Sequence, residues 1–266
     1  MPQTPENTQH PFRVFAVVGK GGVGKTTFAF FFARALIARG RHPLLIDADP
    51  ALSHLARALG VLPERTMESI RADLIHVASH GTSEEKTKAA HDVDAVVARS
   101  VIKGPDYDLL VMGQPTSAGC FCPSNTLLRS VIRQLINQYD AIIIDCEAGL
   151  EQVHRQVISA VDYLVVVTDP SARSITTAEA IIASSQRFTQ YKRAGLVVNK
   201  VTRGTTIHLP EWVEKQGIDV LGQLPEEPSL QEHESTSLSL VGNRAFVPLQ
   251  SAVESMVEKI DGSTGK

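Results

Sequence analysis

The sequence is short of cysteine, of net charge and of long apolar runs, and each shortage closes off a class of protein. Its 266 residues include three cysteines, Cys120, Cys122 and Cys146. So few thiols cannot build a disulfide framework, and they suit a reducing cytoplasm. The formal charge of −3 supplies no basic field, so neither nucleic acid nor an anionic membrane is an expected partner. No run of about 18 apolar residues occurs, which predicts no membrane-spanning helix. The polar stretch Met1 to His10 lacks the apolar heart of a secretory signal. No internal repeat is evident. The expectation is a cytoplasmic chain with one core, a size at which burial needs no staples. Residues 13–260 are assigned to a single domain between flexible tails, 1–12 and 261–266.

What is present is a series of short apolar runs. Val14–Val18, Pro43–Ile46, Leu109–Met112, Ala141–Ile144, Tyr163–Val167 and Gly195–Val198 are almost continuously apolar, the mark of parallel strands covered on both faces. Between most of them lie segments long enough for crossover helices. Thr27–Ala38, Asn125–Gln138, Thr177–Tyr191 and Pro248–Ile260 show helical spacing. Repeated strand–helix order predicts an α/β, doubly wound, mostly parallel sheet with helices on both faces.

Gly19-Lys20-Gly21-Gly22-Val23-Gly24-Lys25-Thr26 matches G-x-x-x-x-G-K-[ST] in full, after an apolar strand and before an apolar helix. The residue types answer to phosphate chemistry. Glycines let backbone N–H groups turn inward and approach phosphate closely. The helix that includes Thr27 adds its positive N-terminal end. Lys25 neutralises the β- and γ-phosphates, and the Thr26 hydroxyl ligates Mg²⁺. Gly21, Gly22, Val23, Gly24, Lys25, Thr26 and Thr27 are thus the predicted cradle of a P-loop NTPase.

Ligands of open α/β sheets bind at the carboxyl ends of strands. Asp47-Ala48-Asp49-Pro50 and Asp145-Cys146-Glu147-Ala148-Gly149 end two of the apolar runs. Asp145 fits the acid that holds a Mg²⁺-bound water, and Asp47 the support of the Mg²⁺ shell. Capping of a following helix is the other role open to aspartates in such places. Asn199, followed by Lys200, ends the Gly195–Val198 run. Its amide offers a donor and an acceptor together, matching the adenine edge. Pro225 is placed as a wall of the base pocket.

Gly and Pro flank Cys120-Phe121-Cys122 on both sides, so this pair belongs to a loop rather than to the core. Two thiolates fill half of a tetrahedral site, and a two-fold axis would supply the other half. Ordinary buried thiols and a redox dithiol are the other readings of the pair. The histidines His54, His76, His80, His91 and His154 are assigned to surface or structural roles. Arg187, Lys192, Arg193 and Lys200 are assigned to a solvated face.

The loop with its extra lysine, Lys20-Gly21-Gly22-Val23-Gly24-Lys25-Thr26-Thr27, resembles the deviant Walker A loop of the SIMIBI-class, MinD/ParA-like ATPases. That resemblance implies an ATPase binding ATP or ADP with Mg²⁺, working as a homodimer in which Lys20 reaches the partner's nucleotide. It implies Asp49 as the switch I residue that positions the attacking water, and Asn199 as the residue that meets the base. Gly119-Cys120-Phe121-Cys122-Pro123-Ser124-Asn125-Thr126-Leu127-Leu128-Arg129, Glu147-Ala148-Gly149-Leu150-Glu151 and Thr168-Asp169-Pro170-Ser171 resemble the CooC-type accessory ATPases of carbon-monoxide-dehydrogenase maturation. The similarity covers roughly Arg13 to Pro225. It implies Ni²⁺ or Zn²⁺ held by Cys120 and Cys122 at the dimer interface, and delivery of nickel to a client metalloenzyme. Cys146 departs from the family pattern. Two other functions are consistent with the same residues: a [4Fe–4S] reductase or cluster carrier like the nitrogenase iron protein, and a partition or positioning ATPase.

Overall fold

The structure is a computed structural model. It describes residues 12–49, 53–84, 99–114, 122–149, 160–230, 240 and 246–262.

One eight-stranded sheet runs in the order β3-β4-β2-β5-β1-β6-β7-β8. Its strands are β1 (Val14–Gly19), β2 (Leu44–Asp47), β3 (Ile102–Lys103), β4 (Asp108–Val111), β5 (Ile142–Asp145), β6 (Ala160–Thr168), β7 (Gln190–Val201) and β8 (Asp219–Pro225). All neighbours pair in parallel except β3, which lies antiparallel on the β4 edge. The helices are α1 (Lys25–Ile37), α2 (His54–Ala58), α3 (Met67–His80), α4 (Cys122–Leu135), α5 (Ala172–Phe188), α6 (Glu211–Lys215) and α7 (Val247–Gly262). This is the doubly wound architecture expected from the strand–helix alternation.

The strand period of two splits each apolar run between two cores. Phe15 and Val17 of β1 face one side, with Phe28, Phe31 and Phe32 of α1 and Leu249, Val253 and Met256 of α7. Val14, Ala16 and Val18 face the other, with Leu128 and Val131 of α4 and Ile181 and Ile182 of α5. Because both faces are covered, β1, β2, β4 and β5 are buried along their whole length and carry no polar alternation.

Boundaries moved where local chemistry outweighs periodicity. Helix α5 starts at Ala172, before the expected Thr177, because the Ser171 side chain caps it by accepting the Ser174 N–H at 3.3 Å. It stops at Phe188 because Gln190 already pairs with Ala160 in the sheet. Helix α4 starts at Cys122, earlier than Asn125, with Pro123 in its first turn where a missing N–H costs nothing. Helix α3 runs on to His80.

The register brings the chemistry together. Asp145 pairs with Val17 of β1 and with Asp47 of β2, and Gly19 pairs with Val167 of β6. Both acids therefore end their strands beside the loop that leaves β1.

Candidate nucleotide and metal sites

The loop between β1 and α1 is shaped by its glycines. Gly24 caps α1 at φ 92°, and no side chain takes the helix's first N–H groups. Those donors are left for an anion. A Cβ on Gly24 would stand 2.2 Å from Asn199 Nδ2, so close approach and positive φ both require glycine. Lys25 is buried and its Nζ donates to the Lys20 carbonyl at 3.2 Å. Burial lowers the Lys25 pKa, while Asp145, Cys146, Asp49 and Glu147 work the other way.

Asp145 is wholly buried. Burial pushes its carboxyl up to about 7, the Thr26 hydroxyl bond and Lys25 oppose that, and Asp47 and Asp49 reinforce it. Its Oδ1 has no hydrogen-bond partner. A buried, unpartnered carboxylate oxygen beside a threonine hydroxyl is an all-oxygen donor set of the kind a hard cation prefers, so these residues fit Mg²⁺.

Asp47 is occupied differently. Its Oδ2 accepts the Ala56 N–H at 3.0 Å and its Oδ1 the Asp49 N–H at 3.4 Å. Burial raises its pKa to about 6 despite those bonds. Its carboxylate anchors the start of α2 and the turn that carries Asp49 next to the phosphate loop.

The far wall comes from β7 and β8. A register shift at Val198/Val201 breaks the β7 ladder with β8, and Lys200 there takes φ 58°, the positive-φ conformation that side chains rarely adopt. The kink turns Asn199 inward. Asn199 Nδ2 donates to the Val23 carbonyl at 2.8 Å, its Oδ1 accepts the Lys200 N–H at 2.8 Å, and Lys200 Nζ donates to the Gly22 carbonyl at 2.7 Å. Pro225 pairs with Val201 at the end of β8. Asn199 and Lys200 are thus brought to the loop, with the Asn199 amide already engaged on its backbone, whereas among the described residues no contact ties the exposed Pro225 to it.

Lys20 lies on the opposite flank. Its Nζ donates to Ser174 Oγ at 3.3 Å, and that hydroxyl donates to Asp169 Oδ2 at 2.7 Å. Burial works against ionisation of Asp169, but bonds from Ser171 and Ser174 and the charge of Lys20 hold its pKa down. Ser174 and Asp169 form a cradle for Lys20 that sequence reasoning missed. Its only signal was the Thr168-Asp169-Pro170-Ser171 stretch.

Cys120 lies outside the described residues, and Cys122 is placed only as the first residue of α4, at the carboxyl edge of the sheet. Cys146 is buried, 3.7 Å from the Ile144 carbonyl, and burial with Asp145 beside it pushes its thiol up, against the pull of Lys25. Such a thiol is inert. Among the described residues no group of three or more His, Cys, Asp or Glu is placed to hold a metal.

A polar cavity of about 530 Å³ lies at the other end of the strands, lined by His42, Lys103, Asp108 and Tyr139 among others. Asp108 binds Lys103 at 2.6 Å, Tyr139 at 2.5 Å and His42 at 3.2 Å. These groups satisfy one another and tie β3 to β4 and β5, far from the phosphate loop. The surface assignment of His76 and His80 holds for exposure but overlooks their spacing. They are four residues apart in α3 with rings stacked, centroids 5.0 Å apart.

The AAA domain model AAA_31 matches residues 13–198. The chain belongs to this family of MinD/ParA-like P-loop ATPases. An uncharacterised ATP-binding protein of Methanocaldococcus jannaschii is 32% identical over 93% of this chain and 98% of its own. The carbon monoxide dehydrogenase accessory protein CooC of Rhodospirillum rubrum is 34% identical over 84% of this chain and 88% of its own. The septum site-determining protein MinD of Pyrococcus horikoshii, solved with Mg-ADP, superposes with a TM-score of 0.65 at 22% identity, over 95% of this chain and 97% of that one. With this family and fold, the chain is an ATPase that hydrolyses ATP to ADP and phosphate, and the glycine loop is its candidate nucleotide site.

Proposed function

We propose that this ATPase is a homodimeric cytoplasmic metallochaperone that helps insert nickel into a client enzyme of the carbon-monoxide-dehydrogenase type. The observation that carries the reading is the Cys120-Phe121-Cys122 pair in a chain 34% identical to CooC. Two such pairs across a two-fold axis make a four-thiolate site for Ni²⁺ or Zn²⁺. Cys122 starts α4 at the carboxyl edge of the sheet, the edge that also carries the phosphate loop.

The chain's own residues divide the work. The amides of Gly21 to Thr27 and the Lys25 ammonium receive the phosphates. Thr26 and the unpartnered Oδ1 of Asp145 hold Mg²⁺, with Asp47 steadying the shell from behind. Mg²⁺ supplies charge neutralisation at the β- and γ-oxygens. Asp49, fixed through its N–H on Asp47, orients the attacking water. Lys20 leaves Ser174 to reach the partner's nucleotide, so each active site needs both chains. Asn199, Lys200 and Pro225 line the base side.

The likeness to MinD favours a second reading, a positioning ATPase. Against it, α7 buries its apolar stripe of Leu249, Val253, Met256 and Ile260 in the core, so that stripe is not open to a membrane surface. Among the described residues no helix is long and apolar enough to cross a membrane.

The deciding measurement is metal content and solution mass of the wild type and of a Cys120→Ser/Cys122→Ser variant, with and without ATP. One nickel or zinc ion per dimer, lost in the variant, is the expected result. Iron with sulfide would transfer the reading to a [4Fe–4S] carrier or reductase. ATP-driven dimers with the same metal content in both proteins would sink the metallochaperone.

A further inference from the structure

Helix α3 carries two imidazoles that the nucleotide site does not use. His76 and His80 are both exposed, and their rings lie at an interplanar angle of 26° with centroids 5.0 Å apart. Residues four apart stand on one helix face, one turn from each other. Two histidines in that relation are the spacing by which a helix chelates zinc in H-E-x-x-H. Neither ring is engaged in a hydrogen bond or ion pair with another described residue. Asp73, one turn earlier, gives its carboxylate to Arg65 at 2.9 Å. The donor set is therefore two nitrogens.

We propose that His76 and His80 form a surface clip for a borderline divalent transition-metal ion, Ni²⁺, Cu²⁺ or Zn²⁺. Imidazole suits these ions, whereas Mg²⁺ demands oxygen and keeps its water. The clip is separate from the phosphate loop. Helix α3 begins at the carboxyl edge, where the Glu68 N–H donates to the Met112 carbonyl at 3.0 Å. At the helical rise, His76 lies roughly 12 Å further along, toward the opposite edge. Two protein ligands leave the remaining coordination positions to water or to an exchanging ligand. An ion held this way is released easily, which makes the clip a loading point rather than a structural centre. The inference stands whether or not Cys120 and Cys122 bind metal.

The test is calorimetric titration of Ni²⁺ into the full chain carrying Cys120→Ser/Cys122→Ser, without nucleotide, so that the thiols cannot contribute. One ion per chain is expected, with Cu²⁺ bound more tightly than Ni²⁺ and Ni²⁺ more tightly than Co²⁺. His76→Ala and His80→Ala, each made in that background, should each weaken Ni²⁺ by at least the ~10–100-fold that loss of an outer-shell partner costs a metal site. His54→Ala should leave it unchanged. Both side chains are exposed, so the variants should keep the parent's circular dichroism and ATP hydrolysis. Cu²⁺ on the parent should give an electron paramagnetic resonance signal with coupling to two nitrogens. Failure of the parent to bind Ni²⁺, or equal affinity in either His variant, would overturn the proposal.

Discussion

Asp108 illustrates how much one side chain's surroundings decide. Burial alone would raise its pKa, yet hydrogen bonds from Lys103, Tyr139, His42 and the Gly104 amide hold it down at about 2. A carboxyl depressed in the folded state stabilises the fold above its unfolded pKa, and that stabilisation is lost as pH falls through the folded pKa. The window here runs from about pH 4 down to about pH 2. With Lys103 open to solvent, the contribution is about 1–2 kcal/mol. Urea unfolding of Asp108→Asn should show that loss at pH 6 and a flatter fall in stability than the wild type below pH 4. Identical pH profiles would mean the network contributes nothing. Nothing in the sequence marks Asp108, because its partners come from β3 and from the segments before β2 and β5. Asp47 is the converse case. Its position at a strand end is legible, but only the fold shows its oxygens on the backbone of α2 and of Asp49.

At the scale of elements, the kinked end of β7 acts as a clamp on the phosphate loop. Asn199 and Lys200 hold the Val23 and Gly22 carbonyls, and Gly24 has no Cβ because Asn199 occupies that space. Asn199→Ala leaves the buried Val23 carbonyl without its donor, a loss of about 1–3 kcal/mol. ATP should then bind about 5- to 100-fold more weakly. Inorganic triphosphate, which has no base, separates the two roles of this residue. An equal loss for both ligands is expected of a clamp, whereas a loss confined to ATP would make Asn199 a reader of adenine alone. The pairing of motif and glycine loop is visible in the sequence. The clamp is not, since Asn199 and Val23 meet only when β6, lying between β1 and β7, brings their carboxyl ends to one edge of the sheet. Element boundaries were the least legible feature, as at Ala172, where a serine cap outweighs apolar spacing.

For the whole molecule, the resting place of Lys20 bears on the proposed dimer. Lys20 is held by Ser174 and Asp169 of its own chain, so the proposed dimer, in which Lys20 reaches the partner's nucleotide, requires that this contact break. Lys20→Ala should abolish both hydrolysis and the ATP-dependent rise in solution mass. Ser174→Ala should keep hydrolysis and shift dimerisation to lower ATP concentration. A Lys20→Ala protein that still dimerises and hydrolyses would show that the lysine serves only its own loop. By itself the sequence determined the ATPase and the parallel α/β class. Those depend on local patterns: apolar runs, helical spacing and a glycine loop whose chemistry admits few alternatives. Only the tertiary structure decided which acid keeps an oxygen free, which asparagine clamps the loop and where Lys20 rests. Each of those is a distance between side chains on different strands or turns, and such distances exist only after the chain has packed.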